Sequence, residues 1–188
     1  VTRMVTIAPQ AHGDLAQHTG SAFKALSAIN GDPSFSRTTT LHIRALLPSD
    51  LPDASAVCLA AFTQAVAPSL SAQGVDTFAK LVTEQALAER MHGDNLLLVC
   101  LSDATINGVV ELKEGRHVAL LFVEPGCQRQ GIGQRLMSAA LAHARVETVT
   151  VNASLPSVPA YRRFGFVQAG EIGEHLGLVY QPMVKSLS

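Results

Sequence analysis

Six consecutive apolar residues, Val118, Ala119, Leu120, Leu121, Phe122 and Val123, run straight into a glycine-containing turn and then into a helical pattern. The run is too short for a globular helix and rich in branched and aromatic side chains, which predicts a buried central strand starting at His117. Pro125 and Gly126 end it. After Gln128, Arg129, Gln130, Gly131, Ile132 and Gly133, the residues Ile132, Leu136, Ala140 and Ala144 fall on one helical face. The chain is therefore committed to a strand, a tight turn and a helix N-terminus.

A helix N-terminus presents unpaired N–H groups and the positive end of its dipole, so this junction is a candidate anion site. Gly131 and Gly133 carry no Cβ, and Arg129 adds fixed positive charge. Two familiar phosphate loops are excluded. A Walker A loop needs Lys and then Ser or Thr after its second glycine, whereas Gly131 is followed by Ile132 and Gly133. A dinucleotide fingerprint needs a small residue where Leu136 stands.

The pattern that fits is Gln/Arg-x-x-Gly-x-Gly/Ala behind Val123-Glu124-Pro125, and here the sequence resembles the GNAT superfamily of N-acetyltransferases. A second block, Asn152-Ala153-Ser154-Leu155-Pro156 continuing to Pro159-Ala160-Tyr161-Arg162-Arg163-Phe164-Gly165-Phe166, resembles the family's next strand and helix, in the family's order. The resemblance covers roughly residues 41–185. It implies an α/β (α+β) fold: a central mixed, mostly antiparallel sheet of about seven strands, flanked by helices, with two central strands splayed apart. Acetyl-CoA would lie between those strands. Backbone groups around Leu121, Phe122 and Val123 would bind the pantetheine arm, and the N–H groups of Gln128, Arg129, Gln130, Gly131, Ile132, Gly133 and Gln134 the pyrophosphate, with Asn152 as a further cofactor contact.

The chemistry implied is direct transfer of the acetyl group to a primary amine of a small molecule or peptide. Tyr161, in the Tyr-x-x-x-Gly-Phe pattern, matches the tyrosine that often protonates the leaving sulfur. Its phenol, ordinarily near pKa ~10, would be protonated at neutral pH. For the base, His117 and Glu111 compete with ordered water; a histidine titrates in the right range, and His117 would share a face with Ala119, Leu121 and Val123. The rival readings are a catalytically idle CoA-binding or sensing module and a protein-interaction adaptor on the same fold.

The 188-residue length suits one domain. With 47% hydrophobic and 15% charged residues the composition is globular, and apolar enough to be compatible with a homodimer contact. A net charge of −1 with scattered cations argues against nucleic acid as a partner. Cys58, Cys100 and Cys127 have no metal or disulfide spacing, so no metal cofactor is expected and reduced thiols fit best. With no apolar run of membrane-spanning length and no signal pattern, the expected location is cytoplasmic and away from membranes.

Residues 1–38 read as an N-terminal extension with a short helix over 15–29, and 39–188 as the acetyltransferase-like domain. Within the latter the pattern predicts a strand at 41–45 and helices near 50–63, 75–83 and 84–92. A hairpin over 95–101 and 106–112 follows. Beyond the central strand and its helix come a strand at 148–152, a helix at 156–164 and a closing hairpin. Pro182 in that hairpin calls for an edge position or a bulge.

Overall fold

The computed structural model describes residues 40–187. The expected N-terminal extension and its helix lie outside the described residues. Eight strands form one sheet: β1 (His42–Ala45), β2 (Asn95–Ser102), β3 (Thr105–Lys113), β4 (His117–Val123), β5 (Thr148–Ser154), β6 (Val167–Gln168), β7 (Gly173–His175) and β8 (Leu178–Ser186). Their order is β1-β2-β3-β4-β5-β8-β6, with β7 also paired to β8. The expected seven strands become eight because β6 and β7 are separate short pieces along the same edge of β8. Among the described residues only β4 and β5 run parallel.

Among the described residues five α-helices cover the sheet: α1 (Leu51–Ala65), α2 (Ala72–Leu81), α3 (Glu84–Met91), α4 (Ile132–Leu141) and α5 (Val158–Arg163). Two apolar clusters divide them between the faces. Phe62 of α1, Phe78 of α2 and Leu87 of α3 pack with Leu120 and Phe122, and Phe62 stacks on Phe78 with ring centroids 3.8 Å apart. On the other face Leu136 and Met137 of α4 and Tyr161 of α5 pack with Leu121 and Val123. Gly108 of β3 lets α4 approach, since a Cβ there would come within 2.7 Å of Leu136 Cδ1.

Helix α2 starts earlier than its apolar spacing implies, because the Ser71 hydroxyl accepts from Gly74 N–H at 3.3 Å and caps it. Gly74 touches the β7–β8 turn so closely that a Cβ would sit 2.1 Å from the Gly177 carbonyl oxygen. Thr77 Oγ1 donates to Leu176 O at 2.9 Å beside it. Of the edge position or bulge expected for Pro182, the structure shows an interruption of the pairing on the outer side of β8. Pro182 stands opposite Asn152 in an interior strand, tolerated because the β7 and β6 ladders on the other side of β8 stop at Tyr180 and Met183.

Candidate active site

The β4–β5 ladder has two rungs, His117 opposite Thr150 and Val118 opposite Val151, and beyond them the strands separate. The rest of β4, from Leu120 to Val123, pairs only with β3. A gap thus opens in mid-sheet, and the backbone groups lining it need another partner. At its mouth β4 ends in a 3₁₀ turn (Pro125–Cys127) that delivers the chain to α4.

The start of α4 has no side-chain cap. Gly131, with φ +80°, turns the chain into the helix, and a Cβ there would project into open space. The first intrahelical bond runs from Arg135 N–H to Gly131 O, which leaves the N–H groups of Ile132, Gly133 and Gln134 without helical carbonyls. These residues, with Gln128 and Arg129, line a cavity of about 230 Å³ that Val123 also borders. Its far wall is Arg163 and Phe164 at the end of α5.

Most of the expected cofactor residues therefore meet at one place, but not all. Leu121, Phe122, Gln130 and Asn152 do not line this cavity. The Phe122 ring points to the opposite face, 5.2 Å from Phe78. Val123 differs from expectation in one respect: its carbonyl already accepts from Gln128 Nε2 at 3.1 Å, a bond that ties the turn back to the strand. Arg163 and Phe164 were not anticipated from the sequence as cavity residues. The available signal was their place within the Tyr-x-x-x-Gly-Phe block.

Tyr161 is completely buried, edge-on to Phe164 and Phe166 with centroids 5.9 and 5.5 Å away. Its hydroxyl has no hydrogen-bond partner among the described residues, and burial holds its pKa well above the ordinary phenol value. A buried hydroxyl left unpaired costs about 1–3 kcal/mol.

His117 lies on a different face from the one the alternation implies. The ladder between β3 and β4 slips at Glu111/Leu112, where Glu111 faces Leu120 and Leu112 faces Val118, so Ala119 is an extra residue. Val118 thereby joins Leu121 and Val123 on the α4 face. His117 turns the other way, with Nδ1 2.7 Å from the Thr150 hydroxyl. Burial, then Lys113 and Arg116, push its pKa down to about 4 against a smaller opposing effect of Glu114. It is neutral at pH 7.

Glu111 has no exposed surface and lies with Cys58 of α1 and Arg90 of α3. Arg90 Nη1 is 3.4 Å from its Oε2, beyond a good hydrogen bond, and neither carboxylate oxygen has a hydrogen-bond partner among the described residues. Burial raises the Glu111 pKa, opposed by Arg90 and Lys113. The Cys58 thiol is pushed up to about 12, chiefly by burial.

Residues 66–187 match the family model described as an acetyltransferase (GNAT) domain. The chain belongs to the GNAT acetyltransferase family. The GNAT fold is also that of solved structures similar to this chain. One is a GCN5-related N-acetyltransferase from Rhodopseudomonas palustris, at 24% identity and a TM-score of 0.70, covering 79% of this chain and 97% of that one. Another is the PaiA N-acetyltransferase of Thermoplasma acidophilum in complex with coenzyme A, at 20% identity and a TM-score of 0.64, covering 78% and 99%. A third is a ribosomal-protein-alanine N-acetyltransferase from Brucella melitensis, at 20% and 0.55, also covering 78% and 99%. No curated protein is significantly similar to this GNAT chain in sequence. Among the described residues no helix is long and apolar enough to cross a membrane.

Proposed function

We propose that this GNAT protein transfers the acetyl group of acetyl-CoA directly to a primary amine of a small molecule or peptide. The observation that carries the reading is the parting of β4 and β5 after two rungs, with the uncapped N-terminus of α4 at the mouth of the gap. The residues fit acetyl-CoA in three respects. The free N–H groups of Ile132, Gly133 and Gln134 suit a pyrophosphate, and Gly131 leaves the approach open. The unpaired inner edge of β4 offers main-chain groups to the pantetheine amides near Leu121. The hydroxyl of Tyr161 has no hydrogen-bond partner among the described residues, and although the ring is buried and does not line the cavity, a thioester drawn into the gap is proposed to supply that partner.

Bound acetyl-CoA supplies an activated acyl group, and the protein's own groups orient it and manage protons. Tyr161 is the proposed acid, donating to the departing sulfur. Its raised pKa makes donation to a thiolate, ordinarily near pKa ~8.5, uphill, so contact with the developing charge has to ease it. Glu111, sealed and beside Arg90, is better placed to hold α3 to the sheet than to receive the amine's proton. His117 is neutral, and its lowered pKa makes it a poor final holder of that proton, so the proposed route is a chain of ordered water that passes the proton on to bulk solvent and its buffer. Asn152 is retained as a candidate cofactor contact on β5, and residues 39–188 as the functional domain.

Measuring free CoA released from acetyl-CoA over a panel of primary amines tests the reading. Amine-dependent release supports it. Binding of CoA without release on any amine would favour an idle sensing module, and absence of CoA binding would overturn the site.

A further inference from the structure

The cavity at the start of α4 is preformed but small. Its volume of about 230 Å³ lies below the about 300–1,000 Å³ of pockets that enclose a drug-sized ligand, and neither Leu121 nor Tyr161 lines it. Deeper in, the sheet is sealed. Beyond their two rungs β4 and β5 share no ladder, yet Leu120, Leu121, Ala153 and Ser154, which flank the parting, are each exposed by 1% or less. Leu121, Val151, Ala153 and Tyr161 belong to one packed apolar cluster on the α4 face. The Tyr161 hydroxyl is closed off from solvent there and has no hydrogen-bond partner among the described residues. The parting is thus open in its hydrogen bonding and shut in its packing.

Resting on the acetyl-CoA reading above, these observations divide the binding of CoA into two steps. Phosphates can reach the free N–H groups of α4 without rearrangement, because Gly131 leaves the approach open. The pantetheine arm cannot, since it has to enter where the cluster is closed. We propose that the slot for the arm is a gate, shut in the ligand-free protein by Tyr161 and its neighbours and opened by the arm after the phosphates have docked. Tyr161 lies on α5, which follows β5 through one short turn, so both move as one leaf, and the rungs His117–Thr150 and Val118–Val151 serve as the hinge. A ligand shifts such an equilibrium only by the difference in its affinity for the two states. CoA gains its contacts with the inner edge of β4 in the open state alone. A ligand without the arm binds both states equally and leaves the gate shut.

The chain has two tyrosines and no tryptophan, so in Tyr180→Phe the intrinsic fluorescence reports Tyr161 alone. The test is stopped-flow fluorescence of that variant with CoA and with 3′-phospho-ADP, which is CoA without its pantetheine arm, alongside calorimetry of wild type with both. Both ligands should bind. CoA should change the Tyr161 emission, at an observed rate that levels off as CoA is raised, within the microsecond-to-second range of lid opening. Saturating 3′-phospho-ADP should leave the emission unchanged. A rate that climbs linearly with CoA, an emission that CoA does not alter, or an equal change with both ligands would overturn the gate while leaving the CoA site intact. Binding of CoA without binding of 3′-phospho-ADP would overturn it too, since no preformed phosphate seat would then exist. Failure to bind either ligand would overturn the CoA reading and the gate with it. Should Tyr180→Phe not fold, wild type carries the same test, because the signal is read as the difference between the two ligands.

Discussion

His117 Nδ1 and Thr150 Oγ1, 2.7 Å apart, join side chain to side chain the first of the two rungs between β4 and β5. The histidine is held neutral there, its pKa pushed from 6.5 down to about 4, chiefly by burial. Between those two values the unfolded chain binds more protons than the folded one, so stability rises with pH across that window. Denaturant midpoints should therefore fall as pH drops from about 6.5 towards 4, and His117→Gln should flatten that dependence. An identical slope in the variant would show that the imidazole does not carry it.

Tyr161→Phe separates packing from chemistry. It keeps the ring contacts with Phe164 and Phe166 and deletes a buried hydroxyl that has no partner among the described residues, so the melting temperature should stay level or rise slightly. If Tyr161 is the acid, kcat should fall by about a hundred- to ten-thousand-fold while the Kd for acetyl-CoA changes little. Unchanged single-turnover chemistry would instead point to water as the proton source.

The anion cradle is tested at Gly131. Gly131→Glu puts bulk and negative charge in open space before the free N–H groups, at a positive φ that disfavours any side chain. In wild type, CoA at about a hundred times its Kd should add about 2.7 kcal/mol of stability. The variant should show no CoA-dependent rise in Tm. A folded variant that retains the full rise would move the pyrophosphate elsewhere.

Glu111 makes a prediction of opposite pH sense. Its pKa is raised, chiefly by burial, so its contribution to stability is full below the ordinary carboxylate value and declines as pH rises through the folded value. Glu111→Gln copies the protonated form, so its Tm relative to wild type should climb between pH 4 and pH 8. Activity should remain within about threefold if water, not this carboxylate, receives the proton. A loss of a hundredfold or more in kcat, with Tm maintained, would return Glu111 to the chemistry.

The strand, turn and helix from His117 onwards were legible because each step has a local cause: an apolar run, Pro125 and Gly126 as breakers, and glycines before a helical stripe. The alternation of β4 was not, since nothing in the run of apolar residues marks Ala119 as the extra one and a single inserted residue reverses every side chain on one side of it. That is why alternation puts His117 on the face of Ala119, Leu121 and Val123, whereas it lies on the other face, beside Thr150. The place of Arg163 is not legible in the sequence for a different reason. Its proximity to Gly131 depends on β5 and α5 returning beside α4, a long-range relation that spacing does not encode.

A sheet whose middle is held by two rungs behaves as two leaves on a narrow spine. One leaf is β1 to β4, the other β5 to β8, and the contact of Gly74 with Gly177 fastens them again from the α2 side. The two leaves are then held by a short ladder, the glycine–glycine contact and the apolar cluster that α4 shares with both, not by a ladder along seven residues of strand. Substitutions far from the cavity that alter any of these fastenings are therefore expected to change how wide the ligand's slot stands open.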